Sequence, residues 1–345
     1  MANVYVGLSG GVDSAVSAAL LKEVGHRVVG AFIKIWRPEF IECPWQKERL
    51  DAMRVCAHFG IPFKEIDLSD EYKKAVIDDM IGNYNAGRTP NPDVLCNAHI
   101  KFGAFKEWAR AQGADFVATG HYARIIRNEG RFELHRGIDT NKDQSYFLWR
   151  LTERDLATTL FPIGGFTKPE VRALAEKFCL PVAKKHDSQG LCFVGEVTMR
   201  DFLARYIDLK KGKVLDERGV VVGEHDGAAL YTLGERHGFR IETSGAREAP
   251  RFVVATSPDS NTITVAKDAQ KAKRRMVTLS DIQWVNDPPR FPLRAEVQAR
   301  YRETPLPCTI DGNEAVFDEP HLAPPGQSLV IYDGQRLLGG GVINA

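Results

Sequence analysis

No apolar run in this sequence approaches the 18 residues that a bilayer-spanning helix needs, so no segment reads as a membrane span. Nor does a basic segment followed by an apolar core stand at the N-terminus, and a cytoplasmic location is the expectation. Charge of one sign is also missing: 46 Lys and Arg face 45 Asp and Glu, for a formal net charge of +1. A nucleic-acid partner would therefore be held by local basic clusters and not by the overall field. Three such clusters are Lys184-Lys185-His186, Lys210-Lys211-Gly212-Lys213 and Lys271-Ala272-Lys273-Arg274-Arg275, each of which alone reads as solvated surface. Cysteine is sparse, with six in 345 residues, no C-x-x-C pair and no His at zinc-ligand spacing, which argues against a structural zinc. In a cytosolic chain all six should be thiols at rest. The length exceeds what one core fills, so two or three domains are expected.

Against these absences stands one glycine-rich stretch, Gly7-Leu8-Ser9-Gly10-Gly11-Val12-Asp13-Ser14. It follows the apolar run Val4-Tyr5-Val6 and leads into a helix-like segment from Ala15 to Leu21, closed by Gly25. A strand feeding a glycine turn into a helix N-terminus is an anion site, because the first backbone N–H groups have no partner inside the helix. Gly10 and Gly11 let the backbone approach phosphate oxygens, and Ser9 and Ser14 add hydroxyl donors. Asp13 is the odd member; a carboxylate beside phosphates makes sense when Mg²⁺ lies between them. The Walker A pattern is excluded because it needs a Lys before Ser or Thr, and the dinucleotide fingerprint because its third Gly position holds Ser14. What remains resembles the SGGxDS loop of the PP-loop ATP pyrophosphatases, which implies cleavage of ATP to AMP and pyrophosphate with adenylation of a carbonyl oxygen.

Further along, 27–35 reads as a buried strand and 46–59 as a helix with Leu50, Met53, Cys56 and Ala57 on one face. Strand 63–67, a helix from Ser69, a helix over 97–112 and strand 115–119 continue the alternation, which predicts a doubly wound parallel α/β sheet. Ligands then sit beyond the C-terminal strand ends, where the opening loop and Gly120-His121 both fall. Thr167-Lys168-Pro169-Glu170 reads as a capping box. Near residue 200 the texture changes to hairpins, one turning at Glu217-Arg218-Gly219 and one at Pro258-Asp259. From Met276 the text is strands and turns only, as in a small all-β barrel. The expected division is 1–197 for the catalytic α/β domain, 198–275 for a mixed central domain and 276–345 for the barrel.

Cys56 and Cys179 read as core residues on apolar helix faces, and Cys43 and Cys308 have no recognisable setting. Cys96 closes Thr89-Pro90-Asn91-Pro92-Asp93-Val94-Leu95-Cys96-Asn97, a loop stiffened by two prolines that opens a helix, where the dipole favours a thiolate. Cys192 lies in Asp187-Ser188-Gln189-Gly190-Leu191-Cys192-Phe193, a Gly-hinged loop.

These two cysteine stretches are similar to the two cysteine motifs of the tRNA-specific 2-thiouridylases. The likeness continues through Thr119-Gly120-His121-Tyr122-Ala123, Lys142-Asp143-Gln144-Ser145-Tyr146-Phe147-Leu148, Arg300-Tyr301-Arg302, Phe317-Asp318-Glu319-Pro320, Pro325-Gly326-Gln327-Ser328 and Gly339-Gly340-Gly341. It covers nearly the whole chain. The sequence departs from family usage over 234–239, at Arg251 after Pro250, and at Trp149, where a cysteine is common. The resemblance implies ATP-dependent thiolation of C2 of the wobble uridine, position 34 of tRNA, with ATP and Mg²⁺ as cofactors. It implies that residues 7–14, Ile33 and Gly120 hold the nucleotide and that Asp13 contacts Mg²⁺. Cys192 would carry a persulfide received from a cysteine desulfurase or sulfur-relay protein, and Cys96 would be the second catalytic thiol. Asn91, Pro92 and Asp93 would hold the flipped base, while His121, Lys142, Asp143, Gln144, Arg300, Tyr301 and Gln327 would meet tRNA. Two rivals compete: another AMP-forming PP-loop enzyme, such as an amide ligase, and a nucleotide- or RNA-binding module without turnover. Neither gives a role to both cysteines.

Overall fold

The computed structural model describes residues 1–40, 45–186, 197–242 and 250–344. Strand β1 (Asn3–Gly7) passes through the glycine loop into helix α1 (Val12–Glu23), which ends before Gly25 at φ +90°. There follow β2 (Arg27–Lys34), helix α2 (Trp45–Phe59) and β3 (Phe63–Asp67). A helical stretch then runs from Ser69–Tyr72 through π-helical Lys73–Ile77 to Asp78–Asn85. A second runs from Pro92–Leu95 through π-helical Cys96–Ala104 to Phe105–Ala111. Next come β4 (Phe116–Ala118), the hairpin strands β5 (Ala123–Asn128) and β6 (Arg131–Arg136), and β7 (Thr159–Leu160). The helix Lys168–Lys177 carries the expected capping box, with Thr167 N and Oγ1 donating to Glu170 Oε2 at 2.7 and 2.8 Å.

The first sheet has the order β3-β2-β1-β4-β7 with every pairing parallel, as the alternation predicts. Period two along the strands sorts the side chains to two faces. Val4, Val6, Val28, Phe32 and Ala118 meet Ala15 and Val16 of α1, Val55 and Cys56 of α2, and Val171. Tyr5, Ala31 and Val117 meet Tyr72, Met80, Ile100 and Phe105 on the other side. Strand order reverses between β1 and β4, so the loops after these two strands flank the topological switch point.

Strands β8 (Gly212–Leu215), β9 (Val221–His225), β10 (Phe239–Ile241), β11 (Phe252–Ser257) and β12 (Thr262–Ala266) form a second sheet, ordered β10-β9-β8-β12-β11 around its own small core. Then β13 (Arg274–Trp284), β14 (Leu293–Gln298), β15 (Leu306–Asp311), β16 (Glu314–His321), β17 (Ser328–Asp333) and β18 (Arg336–Ile343) close into an antiparallel barrel, because β13 pairs with both β16 and β18. Cys308 lies in its apolar interior, where burial pushes the thiol up to about 12.

Two features were not legible beforehand. The hairpin β5–β6 leaves the first sheet and joins the barrel wall, with His135 opposite Arg336 and Leu134 opposite Leu337 on β18. Trp149 is fully buried at this junction, donating from Nε1 to Ser328 Oγ at 3.0 Å; a Cβ on Gly340 would come within 2.9 Å of its indole. One expectation is corrected. Cys179 is exposed, not on an apolar helix face, because the helix stops at Lys177 and Cys179 takes φ +50° in the turn beyond. Cys43 and Cys192 lie outside the described residues.

Candidate nucleotide and thiol site

Helix α1 is capped by Gly11 with no side-chain hydrogen bond, so its first-turn N–H groups carry no side-chain cap. Gly10 holds φ +71°, and a Cβ there would lie 2.4 Å from the Glu48 carbonyl oxygen; only glycine fits. Ser9 N donates to Ser14 Oγ at 3.3 Å, and Ser14 Oγ donates to Gly11 O at 3.2 Å, which holds both hydroxyls beside the turn. Gly120 backs onto this loop so closely that a Cβ would sit 2.7 Å from Ser14 N. Gly7 lies against the Ile33 side chain of β2 and the Phe105 ring of the Cys96-bearing helix. Residues 7–14, Ile33 and Gly120 therefore converge at the switch point, although the side chains of Leu8 and Val12 face the core.

Asp13 is not surrounded by further carboxylates. Lys168 Nζ donates to its Oδ1 and Oδ2 at 2.7 and 2.9 Å, and the Tyr122 hydroxyl donates to Oδ1 at 2.9 Å. Among the described residues no group of three His, Cys, Asp or Glu side chains could hold a metal ion. One carboxylate already bound by an ammonium does not fit a resident Mg²⁺, which asks for an octahedron of oxygens. In this arrangement the cation beside Asp13 is Lys168. Lys185 supports the turn from behind, donating to Gly10 O at 3.0 Å and Asp51 Oδ2 at 2.9 Å. Sequence reasoning missed both lysines, taking one as part of a cap and the other as basic surface. A lysine at the first position of a helix opposes the dipole, and that was the available signal.

Cys96 also departs from expectation. The helix starts at Pro92 with Asn91 as N-cap, because Pro suits the first helical position and Asp93 suits the first turn. Cys96 is consequently one turn inside the helix and 5% exposed in the core, not at its N-terminus in a loop. Burial raises the Asp93 carboxyl above the ordinary range, with Lys101 partly offsetting this. Asn97 Nδ2 donates to Phe147 O at 3.0 Å, while its buried Oδ1 has no partner. His121 is wedged between Phe102 and Phe161; Nδ1 lies 2.7 Å from Thr119 Oγ1 and Nε2 lies 3.4 Å from Lys101 Nζ. Burial, then Lys101, depresses its pKa well below 6.5, so the ring is neutral and Nε2 accepts from the ammonium.

The remaining candidates lie where the barrel meets the first sheet. Lys142 is half-buried. The Asp143 carboxylate accepts from Arg136 Nη1, Gly137 N, Ser145 N and Ser145 Oγ at 3.0–3.2 Å, and Gln144 Oε1 accepts from Tyr122 N at 3.0 Å. These two side chains are committed inside the protein. Arg300-Tyr301-Arg302 lies in the turn that follows β14, with Arg302 at φ +62°. Arg300 Nη2 donates to Leu233 O at 3.1 Å, and Tyr301 packs on Phe147 with ring centroids 4.4 Å apart. Gln327 Nε2 donates to Thr89 O at 2.8 Å and to Pro90 O at 3.4 Å, while Thr89 N donates to Pro325 O at 2.9 Å. The barrel turn thereby clasps the proline-stiffened loop that leads to Cys96.

Models of three successive domains match the chain: a tRNA methyl transferase HUP domain over residues 2–196, a tRNA methyl transferase PRC-barrel domain over 200–267 and an aminomethyltransferase β-barrel domain over 274–343. Two curated relatives, both named tRNA-specific 2-thiouridylase MnmA, come from Shigella boydii serotype 18 and Escherichia coli strain K12. Each is 44% identical over 353 residues, covering 99% of this chain and 96% of the relative. Among solved structures, the U34-tRNA thiolase NcsA from Methanococcus maripaludis aligns at 21% identity over 60% of this chain and 64% of its own, with a TM-score of 0.37. That likeness is too slight to carry an argument.

Proposed function

The chain belongs to the tRNA-specific 2-thiouridylase family, and from that premise we propose that it replaces the C2 oxygen of the wobble uridine, position 34 of tRNA, with sulfur while cleaving ATP to AMP and pyrophosphate. The observation that carries this reading is the dipeptide Gly120-His121. Gly120 lies on the nucleotide loop at Ser14, and His121 reaches Lys101 on the helix that bears Cys96. One short connection thus joins the glycine turn to the helix that bears Cys96.

The C2 carbonyl of uracil is urea-like, a poor electrophile with a poor leaving group. In this reading its oxygen attacks the α-phosphorus of ATP and pyrophosphate departs, so that AMP becomes the leaving group. The uncapped α1 N-terminus and the Ser9 and Ser14 hydroxyls hold the phosphates, and Mg²⁺ enters on the nucleotide as part of the substrate. Cys192 carries the terminal sulfur of a persulfide supplied by a cysteine desulfurase or relay protein. That sulfur attacks C2 directly and displaces AMP, after which Cys96 attacks the Cys192 sulfur, breaks the S–S bond and frees the thiolated base; or it leaves first as hydrosulfide when Cys96 closes a disulfide onto Cys192. On either route a Cys96–Cys192 disulfide is left, and an external thiol must reopen it. Asn91, Pro92 and Asp93 hold the flipped base, with the Asp93 carboxyl raised above its ordinary range by desolvation. Lys142, Arg300 and Tyr301 face tRNA, while the buried His121 acts from inside through Lys101. In this division residues 1–197 carry the chemistry, 198–275 form the central domain and 276–345 the barrel.

Incubation with Mg·ATP, undermodified tRNA and a persulfide donor, followed by nucleoside mass spectrometry, tests the proposal. AMP and 2-thiouridine should appear in equal amounts. Cys96→Ser and Cys192→Ser should each abolish thiolation, whereas Cys56→Ser and Cys308→Ser should not. ADP in place of AMP, or AMP without a thiolated base, would reject it.

A further inference from the structure

A turn that binds polyphosphate while presenting a carboxylate in the first turn of its helix sets two anions side by side. Asp13 is the second residue of α1, within the same turn whose N–H groups would receive the phosphates. Like charges at that separation repel strongly wherever water is excluded. Some cation has to stand between them, and among the described residues no group of three His, Cys, Asp or Glu side chains could hold a resident metal. It does offer an ammonium. Lys168 Nζ contacts both oxygens of Asp13, and its side chain is 13% exposed against 32% for the carboxylate.

The ammonium is held there from several directions. The backbone N of Lys168 donates to Asp139 Oδ2 at 2.9 Å, and the Thr167–Glu170 capping box fixes the start of its helix. Tyr122, itself 2% exposed, pins the carboxylate with its hydroxyl, and Lys168 Nζ lies 5.9 Å from the centre of its ring. At the first position of its own helix the lysine is opposed by the dipole, so that helix gains nothing from the charge. An ammonium has three donors and a flexible stem, so it can keep one bond to Asp13 while giving others to a second anion.

We propose that Lys168 is the bridging cation between Asp13 and the phosphates of bound ATP, taking in space the place that the Walker lysine takes in sequence. Asp13 holds the ammonium ready for the nucleotide and remains its second partner once it is bound. The inference rests on the nucleotide reading of residues 7–14 and assigns it a residue outside the motif.

Equilibrium dialysis with labelled ATP, run once with Mg²⁺ and once with EDTA, tests this on the full chain and its variants, with melting curves confirming that each variant is folded. The wild type should bind ATP within about threefold of the same affinity in both buffers. Lys168→Met should weaken binding about tenfold or more in both, as expected for one lost charge-assisted contact, and Lys168→Arg should recover part of it. Asp13→Asn should weaken binding less than Lys168→Met does, since the ammonium loses its positioning partner but keeps the phosphates; a loss as large as that of Lys168→Met would overturn the phosphate contact. The double variant Lys168→Met/Asp13→Asn should remain weak; full recovery there would mean that the lysine only neutralises Asp13, and would overturn the phosphate contact. Wild-type binding that disappears in EDTA, or Lys168→Met binding like the wild type, would overturn the inference alone. Failure of the wild type to bind ATP even with Mg²⁺ would overturn the nucleotide reading and this inference with it.

Discussion

At the mouth of the parallel sheet the N-terminus of α1 has no side-chain cap, and Ser9, Ser14 and Lys168 stand around its first turn. At the barrel turn the arrangement is the reverse. Gln327 spends its amide on Thr89 and Pro90, Arg300 reaches Leu233 O, and Asp143 accepts from four donors. The first region is built to receive; the second is built to hold another part of the chain. A residue can therefore matter to the reaction in two physically different ways, by touching substrate or by fixing the group that touches it. Family resemblance marks both kinds alike, and only the partners of each side chain separate them.

One glycine in each region breaks the comparison most sharply. Gly10 and Gly326 both hold positive φ, at +71° and +89°, and a Cβ on either would press on backbone, Glu48 O at 2.4 Å or Thr89 N at 2.8 Å. An alanine in that conformation costs about 1–2 kcal/mol before any clash is counted. Gly10→Ala should weaken ATP binding about tenfold or more, because it displaces the phosphate turn. Gly326→Ala should leave ATP binding intact and lower the rate of thiolation by shifting the Cys96 loop. Nucleotide dialysis and single-turnover thiolation read the two effects separately; equal loss of ATP affinity in both variants would end the distinction.

Next in size is Gln327→Ala. If the amide positions the loop, kcat should fall about tenfold while the Kd for tRNA changes less than about twofold, as for a lost pair of neutral hydrogen bonds. A rise in Kd with unchanged kcat would make Gln327 a direct tRNA contact. Arg300→Ala is the control on the same side of the molecule. Its guanidinium still has donors beyond the one given to Leu233, so a lost phosphate contact should flatten the salt dependence of tRNA binding by about one log–log unit or less.

The parallel sheet, its loop and the closing barrel were legible because each is written locally: an apolar strand, a glycine turn and a helix in succession, or strands of period two between Gly and Pro. Lys168 was not legible, since its partner lies 155 positions away and only packing brings them together. The β5–β6 hairpin is the same case, because nothing in Ala123–Asn128 announces that the strand paired with it will pair again with β18. Cys96 was placed one turn wrong for a local reason. Two prolines read as a stiff loop, but the second of them starts the helix.

The smallest expected effect concerns two buried histidines, one at the mouth of the parallel sheet and one in the central sheet as a reference. His121 lies at the catalytic mouth; His225, 2% exposed, lies in the central sheet and accepts at Nδ1 from Gly227 N at 2.9 Å. Burial is the main cause that lowers both pKa values below 6.5, and Lys101 adds to the effect at His121. Each ring is therefore neutral in the folded protein and protonates more readily once unfolded. The unfolded chain binds more protons below pH 6.5, so the stability tied to neutral rings is fully present above that pH and is lost as pH falls through 6.5 toward the folded values. His121→Gln keeps an acceptor within reach of Lys101 and removes the titration. Melting temperature measured from pH 8 to pH 5 should then decline less steeply than in the wild type, and should keep the part of the decline that belongs to His225. The double variant with His225→Gln should flatten further. A His121→Gln curve parallel to the wild type over the whole range would show that folding does not lower the His121 pKa, and would argue against the Lys101 contact as drawn.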